Sequence, residues 1–171
     1  MEKSVTEAIN FRRSVRKFDP NKEIDSKIVK KCIENAVLAP TSSNLQLWEF
    51  YHITNKELLI KLSKTCFNQP AASTSKQIIV VVARKDLWKK RANQNISFFD
   101  SKRDKLSKKQ YNLTRKYYSK AVPLVYKDFI GIFSYLKYLF ANFLGFFRVM
   151  YRQLRSSDTR IVAHKSAALA S

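Results

Sequence analysis

Apolar and polar residues in the first third of the chain follow patterns that predict two short helices. Apolar side chains recur at the helical period between residues 28 and 37: Ile28, Val29, Cys32, Ile33, Ala36 and Val37. Asp25 or Ser26 is placed to cap this helix, and Pro40 is placed to end it. An earlier helix is predicted from Ser4 and Glu7, whose spacing matches a capping box.

Two runs of β-favouring residues predict strands on either side of a third helix. Residues 48–53 are rich in aromatic side chains, as strands often are. Residues 78–83 form an unbroken run of mostly β-branched side chains, which predicts a central strand covered on both faces. Between the two runs, Asn55 is placed to cap a helix.

The second half of the chain is predicted to be helical. From residue 84 to about residue 120 it is basic, carries tyrosines and contains neither glycine nor proline. Residues 129–151 are the most apolar part, but Lys137 and Arg148 interrupt them, so no uncharged stretch approaches the ~20 residues that a spanning helix needs. We therefore expect no transmembrane segment, while an interfacial helix and an aromatic lid both remain open. A further helix is predicted from Asp158 to the last residue.

The length of the chain indicates how large a domain it can form, and its net charge indicates which kinds of partner it attracts. A chain of 171 residues is long enough for one domain with its own core. It carries 33 basic and 13 acidic residues, a formal net charge of +20, most of it in residues 84–171. Because such a field attracts anionic partners, a basic protein that binds nucleic acid or an anionic membrane surface is an alternative function. We expect any binding of nucleic acid to be non-specific.

The N-terminal residues indicate the cellular location, and the two cysteines indicate whether the chain binds a metal. No apolar segment follows Met1, which argues against a secretory signal and favours the cytoplasm. Cys32 and Cys66 lack the spacing of a metal site or a redox pair, so no metal is expected and both thiols are predicted to be buried or free. Cys32 falls within an apolar stripe and is expected to behave as a small buried hydrophobe.

A basic segment near the N-terminus is the best candidate for an anion site. In an extended backbone, Arg12, Ser14 and Arg16 lie on one side, whereas Arg13 and its alternate neighbours lie on the other. Two guanidinium groups flanking a hydroxyl suit a phosphate, because each guanidinium grips two oxygens. The chain has only two glycines, so it cannot form a glycine-rich phosphate loop. The alternative interpretation is an ordinary solvated basic surface.

This segment, R-R-S-V-R-K-F, and the later A-P-T-S-S-N-L-Q-L-W-E-F at residues 39–50 together resemble the FMN-dependent nitroreductase family. That family pairs R-x-S-x-R with A-P-S-S-x-N-x-Q-P-W-x-F, and Leu47 stands here where proline is usual. The resemblance covers residues 4–83 and 158–171. It implies an α+β fold in which helices pack around a small, mainly antiparallel sheet, with FMN at a homodimer interface.

The resemblance also implies an activity and a set of site residues. NAD(P)H would reduce FMN, and a nitro compound, quinone or similar small acceptor would then take the electrons, with no catalytic acid or base from the protein. Arg12, Ser14 and Arg16, with Arg13 as a weaker candidate, would hold the phosphate and ribityl end. The remaining cofactor contacts implied are Pro40, Ser42, Ser43, Asn44, Gln46 and Asn68.

Domain organisation follows from the same comparison of motifs. Residues 1–171 are predicted to form a single nitroreductase-like domain, with residues 84–157 as a basic, aromatic helical insertion or lid. The apolar helical pattern continues to Ser171 without a stop signal, so we expect the domain to be incomplete at its C-terminus. An inactive truncated remnant is therefore a further alternative.

Overall fold

The computed structural model describes residues 4–128, 132–149 and 154–171. The chain forms two compact units. The first unit comprises Met1–Lys30 and Tyr51–Val80, and the second comprises Lys31–Phe50 and Val81–Ser171. Each unit therefore contains two separate stretches of the sequence.

The sheet has two strands among the described residues, β1 (Trp48–Ile53) and β2 (Ile78–Ala83). The backbone amide of Arg84 donates to the carbonyl of Leu47 at 2.9 Å, so the end of β2 lies beside the start of β1 and the strands are antiparallel. Both strands occupy the predicted residues. The prediction that β2 is a central strand covered on both faces is wrong, because β2 has one strand neighbour in the described part of the chain and Ile79 is 40% exposed.

Local capping signals correctly located three helices of the first half: α1 (Val5–Phe11), α2 (Ser26–Ala36) and α3 (Lys56–Thr65). The single turn α4 (Pro70–Ser73) was not predicted. The Ser4 amide donates to Glu7 at 2.7 Å and the Glu7 amide donates to the Ser4 hydroxyl at 3.3 Å, which confirms the predicted capping box. Asn55 accepts a hydrogen bond from the Leu58 amide at 3.1 Å and caps α3 as predicted.

The apolar stripe of α2 is more exposed than its sequence pattern indicated. Ile28 on that stripe is 59% exposed, and Cys32 is exposed as well. The prediction that Cys32 is a buried hydrophobe is therefore wrong, because the apolar face of α2 has little packed against it among the described residues. Cys32 and Cys66 are both free thiols.

The second unit contains the core and the remaining helices: α5 (Trp88–Ser101), α6 (Lys108–Lys116), α7 (Val122–Tyr126), α8 (Ile132–Leu144) and α9 (Ser156–Ala170). Its buried cluster consists of residues from the loop before β1 and from the helices that follow the sheet: Leu45, Leu47, Ala92, Tyr118, Val122, Tyr126 and Ala163. A π-helical turn, Tyr117–Ala121, joins α6 to α7. The core therefore forms around the loop that precedes β1.

The predicted helix from residue 84 to about residue 120 is interrupted. Ser107 accepts a hydrogen bond from the Gln110 amide at 3.2 Å, and the Gln110 side chain accepts one from the Ser107 amide at the same distance. Helix α5 ends at Ser101, and this second capping box starts α6 as a separate helix. The absence of glycine and proline was therefore an insufficient criterion for one long helix.

Helix α8 has an inverted distribution of polarity. Its buried side chains are Ser134, Lys137 and Ala141, whereas its large apolar side chains are exposed. The exposed set comprises Ile132, Phe133, Tyr135, Leu136, Leu139, Phe140 and Phe143. Residues 129–131 and 150–153 of the predicted apolar segment and its surroundings lie outside the described residues. Within the described ranges, none of the helices combines the length and the apolar character required to cross a membrane.

Helix α9 packs through small residues. It begins at Ser156, two residues before the predicted start, and buries Thr159, Ala163, Ser166 and Ala170 at helical spacing. The more strongly apolar Leu169 is 65% exposed. Small side chains on the buried face allow α9 to approach the core closely.

Candidate functional site

The basic segment follows the end of α1 in the first unit. The Arg12 guanidinium donates to the Ser14 hydroxyl at 3.4 Å, which places the two side chains on the same side of the backbone, as the alternation predicts. Arg16 is exposed and makes neither a hydrogen bond nor an ion pair with any of the described residues. Two guanidinium groups and one hydroxyl are therefore accessible for an anion.

Arg13 turns away from this group. Its Nη1 donates to the carbonyl of Asn10 at 2.7 Å and to the carbonyl of Arg12 at 2.9 Å. These carbonyls lie at the C-terminal end of α1, where backbone acceptors lack helical partners and a cation is favoured. The observed contacts of Arg13 thus serve the helix end.

Asn68 lies in a turn of the first unit. Phe67 and Asn68 have φ angles of 57° and 51°, in the left-handed region. The Asn68 amide donates to the carbonyl of Ser63 at 2.8 Å, and the Ser63 hydroxyl donates to the Asn68 side chain at 3.4 Å. Asn68 also lines a cavity of about 610 Å³ whose lining includes Lys56 and Lys76. Asn68 therefore stabilises a turn, and it also borders a cavity.

The polar loop, defined here as residues 41–47, alternates between exposed polar and buried apolar side chains. Leu45 and Leu47 are 1% and 3% exposed and belong to the core of the second unit, whereas Ser42, Asn44 and Gln46 are exposed. Leu47 replaces the proline of the family pattern and contributes a buried side chain. The core thereby fixes the loop and leaves its polar side chains available. Pro40, just before the loop, is exposed.

The backbone of the polar loop is held in an unusual conformation. Ser43, Asn44 and Gln46 have φ angles of 56°, 47° and 48°, a region that non-glycine residues adopt at a cost. The Asn95 side chain donates to the Asn44 carbonyl at 3.0 Å. The Tyr118 hydroxyl donates to the Ser43 carbonyl, also at 3.0 Å. Burial raises the pKa of Tyr118, which keeps its hydroxyl protonated as a donor.

Two cavities border the polar loop within the second unit. One, of about 300 Å³, is lined by Ser42 and Ser43 together with side chains of the π-helical turn, α7 and α9. The other, of about 220 Å³, is lined by Asn44 and Gln46 together with residues of α5. No spacing rule links the α5 residues to the polar loop, because they lie about 50 positions away along the chain. No group of three or more metal-ligating side chains occurs among residues 4–128, 132–149 and 154–171.

Comparison with known proteins identifies the family. The profile of the nitroreductase family matches residues 9–170, which is nearly the whole chain. The chain therefore belongs to the nitroreductase family, as its two motifs indicated.

Individual relatives match a shorter part. A Staphylococcus saprophyticus protein provisionally named an NAD(P)H nitroreductase is 31% identical over 88 residues, which are 51% of this chain and 40% of the relative. The CLA biosynthesis enone reductase of Lactiplantibacillus plantarum is 32% identical over 88 residues, covering 46% of this chain and 41% of the relative. The match spans less than half the length of these curated relatives.

Solved structures confirm the fold. A provisionally named nitroreductase of Exiguobacterium sibiricum in complex with FMN superimposes with a TM-score of 0.61 at 22% identity, covering 99% of this chain and 66% of that one. A nitroreductase family protein of Streptococcus pneumoniae gives a TM-score of 0.57 at 22% identity, covering 98% and 70%. The predicted nitroreductase-like α+β fold is therefore confirmed.

Proposed function

We propose that this chain is an FMN-dependent oxidoreductase that passes electrons from NAD(P)H to a small acceptor such as a nitro compound or a quinone. The observation that carries the proposal is the arrangement of Arg12, Ser14 and Arg16 in a chain of the nitroreductase family. FMN would supply the hydride-accepting and hydride-donating chemistry when bound. The protein supplies position, charge and exclusion of water.

The basic segment fits a phosphate group. The hydrogen bond between Arg12 and Ser14 is long at 3.4 Å and therefore easily exchanged for a shorter, charge-assisted bond to a phosphate oxygen. Arg16 contributes an exposed guanidinium without a partner among the described side chains. Arg13 is the weakest candidate of this segment, because its guanidinium already donates to two carbonyls.

The polar loop, in the second unit, fits the ring and ribityl part of a flavin. Ser42, Asn44 and Gln46 present a hydroxyl and two amides, which donate and accept hydrogen bonds as the edge of a flavin requires. Ser43 is held by Tyr118, so the loop is fixed before any ligand arrives. Pro40 and Asn68 are further contacts in this proposal, Pro40 from its exposed position and Asn68 from the border of a cavity.

A homodimer is part of the proposal, and the exposed face of α8 supports it. Phe140 and Phe143 on this face are 62% and 60% exposed. A contiguous exposed apolar face normally packs against a partner. Two copies each carry a formal charge of +20, so their repulsion opposes association. We expect the dimer to strengthen as salt screens this repulsion.

Titration of FMN with the protein tests the cofactor assignment. Arg12→Ala and Arg16→Ala each remove a charge-assisted contact of about 1.5–3 kcal/mol, so each should weaken FMN binding roughly tenfold to a hundredfold. Lys22→Ala removes an exposed charge from the same unit and should leave the affinity unchanged. Quenching of flavin fluorescence reports the dissociation constant, and equal affinity in all three variants would refute the phosphate assignment.

Sedimentation tests the dimer. Phe140→Glu places a charge in the proposed interface and should yield a monomer at concentrations where the original chain is dimeric. Phe67→Glu is the matched control, because Phe67 is 89% exposed and belongs to the first unit. A monomer without any substitution, at both low and high salt, would end the dimer proposal.

A further inference from the structure

We propose that the cavity of about 220 Å³ beside the polar loop binds a carboxylate or phosphate group, with Arg91 as the anion-binding side chain. We call this cavity the Arg91 pocket. Its lining comes from the polar loop and one side of α5: Asn44, Leu45, Gln46, Arg91, Gln94, Asn95 and Phe98. All of these residues belong to the second unit.

Arg91 has hydrogen-bonding capacity that the protein does not use. Its Nε is buried and has no hydrogen-bond partner in the part of the chain that the structure describes. Its Nη1 reaches the Gln94 side-chain oxygen only at 3.4 Å, a long contact. A buried donor without an acceptor costs free energy, and a guanidinium presents its donors in a fixed fork. An oxyanion in the pocket would accept charge-assisted hydrogen bonds from this guanidinium.

The other lining groups favour an acceptor-rich ligand over a cation. The Asn44 side-chain oxygen already accepts from Gln46 at 3.2 Å, which leaves the Asn44 amide nitrogen as a free donor. Asn95 uses its side-chain nitrogen on the Asn44 carbonyl at 3.0 Å and keeps a second N–H. Among the residues that the structure describes, no aspartate or glutamate lines the pocket. The pocket therefore combines one positive charge with several amide donors.

Phe98 adds an apolar wall. It lines the pocket and is 58% exposed, so a flat apolar group can lie against its ring while a carboxylate or phosphate faces Arg91. A small aromatic acid and a nucleotide phosphate both present such a combination. Asn44 and Gln46 are also among the flavin contacts proposed above, whereas Arg91 and the other α5 residues are not, so substitution of Arg91 tests this pocket alone.

Calorimetric titration of the flavin-free chain with benzoate and with inorganic phosphate, at constant ionic strength, tests the pocket. Arg91→Gln should weaken binding by about tenfold or more, because it removes a charge-assisted contact. Lys90→Gln is the matched control: it removes the same charge from the neighbouring exposed position and should leave affinity within about twofold, as expected for a surface charge. Arg91→Lys keeps the charge but loses the fork, so its affinity should fall between the two.

The affinities for benzoate and for phosphate show which kind of anion the pocket prefers. Tighter binding of benzoate supports a carboxylate ligand, and tighter binding of phosphate supports a phosphorylated one. The proposal is overturned if neither anion binds the unsubstituted chain, or if Arg91→Gln and Lys90→Gln bind equally well. If Arg91→Gln does not fold, equal affinity in Arg91→Lys and the unsubstituted chain is the overturning result. FMN affinity measured separately on Arg91→Gln should be unchanged, so failure here is distinguishable from failure of the flavin proposal.

Discussion

The hydroxyl of Ser43 lies 2.5 Å from the hydroxyl of Tyr117, although 74 positions separate the two residues. The next residue, Tyr118, donates to the carbonyl of the same serine at 3.0 Å. Both tyrosines belong to the π-helical turn Tyr117–Ala121. Two consecutive tyrosines therefore hold one residue of the polar loop, one through its side chain and the other through its backbone.

Tyr118→Phe should loosen the polar loop while keeping the aromatic ring in the core. The substitution removes the donor to the Ser43 carbonyl, and one hydrogen bond contributes about 0.5–1.5 kcal/mol net. We expect a loss of this size in the free energy of unfolding, measured in urea, with faster amide exchange in residues 43–46. Tyr135→Phe, at an exposed tyrosine of α8, should change neither quantity. Equal exchange rates in both variants would contradict the proposed role of Tyr118.

The left-handed backbone of Gln46 predicts opposite effects for two substitutions. Gln46 has a φ angle of 48° and an exposed side chain, so Gln46→Gly removes the strain at little other cost. Gln46→Val places a β-branched side chain in this conformation and should destabilise the protein by about 1–2 kcal/mol relative to glycine. Thermal unfolding of both variants measures the difference. If valine is as stable as glycine, the left-handed conformation is not needed in the folded state.

Lys137 should stabilise the protein despite its burial. Its ammonium donates to the carbonyls of Leu124 and Lys127, each at 2.8 Å, at the end of α7. Lys137→Met leaves these acceptors without their donor and should cost about 1–3 kcal/mol in urea unfolding. Lys120→Met, at an exposed position, should cost much less. A Lys137→Met chain as stable as the Lys120→Met chain would show that water replaces the ammonium without loss.

Asp158 should make stability depend on pH in the acid range. Hydrogen bonds from the Arg155 side chain lower the pKa of Asp158 below its ordinary value of 3.8, with a further contribution from the Arg155 backbone amide. Its stabilising contribution is therefore complete above about pH 4 and is lost as pH falls through the lowered pKa. Asp158→Asn should cost about 0.5–2 kcal/mol at pH 7, as expected for a helix cap, and less at pH 2, because the contribution shrinks as the pH falls through the lowered pKa.

Urea unfolding at both pH values measures this dependence. Asp104→Asn, at an exposed aspartate of the same unit, is the control for loss of a surface charge and should change the free energy of unfolding at pH 7 by less than about 0.5 kcal/mol. A penalty for Asp158→Asn that is equal at pH 7 and pH 2 would show that the side-chain charge is not the stabilising feature.

Features that depend only on residues close together in the chain were predicted from the sequence. Both strands, the caps at Ser4 and Asn55, and the shared side of Arg12 and Ser14 all follow from local rules and are observed. The family motifs supplied the fold, which the comparisons confirm. The assignment of individual residues to FMN stays a prediction.

Features that depend on distant residues were missed. The exposure of Cys32 depends on what packs against α2, and helical periodicity alone does not contain this information. The contacts of Tyr117, Tyr118 and Asn95 with the polar loop join positions about 50 to 75 residues apart. No spacing rule links such positions, since the connection arises only when the core of the second unit forms.

The inverted polarity of α8 also has a consequence for temperature. The burial of apolar side chains such as Leu136, Phe140 and Phe143 is driven near 25 °C almost entirely by entropy, and this driving force weakens on cooling. The hydrogen bonds of Lys137 on the opposite side of the helix do not depend on that force. A dimer formed through the apolar face of α8 should therefore dissociate in the cold while each chain remains folded.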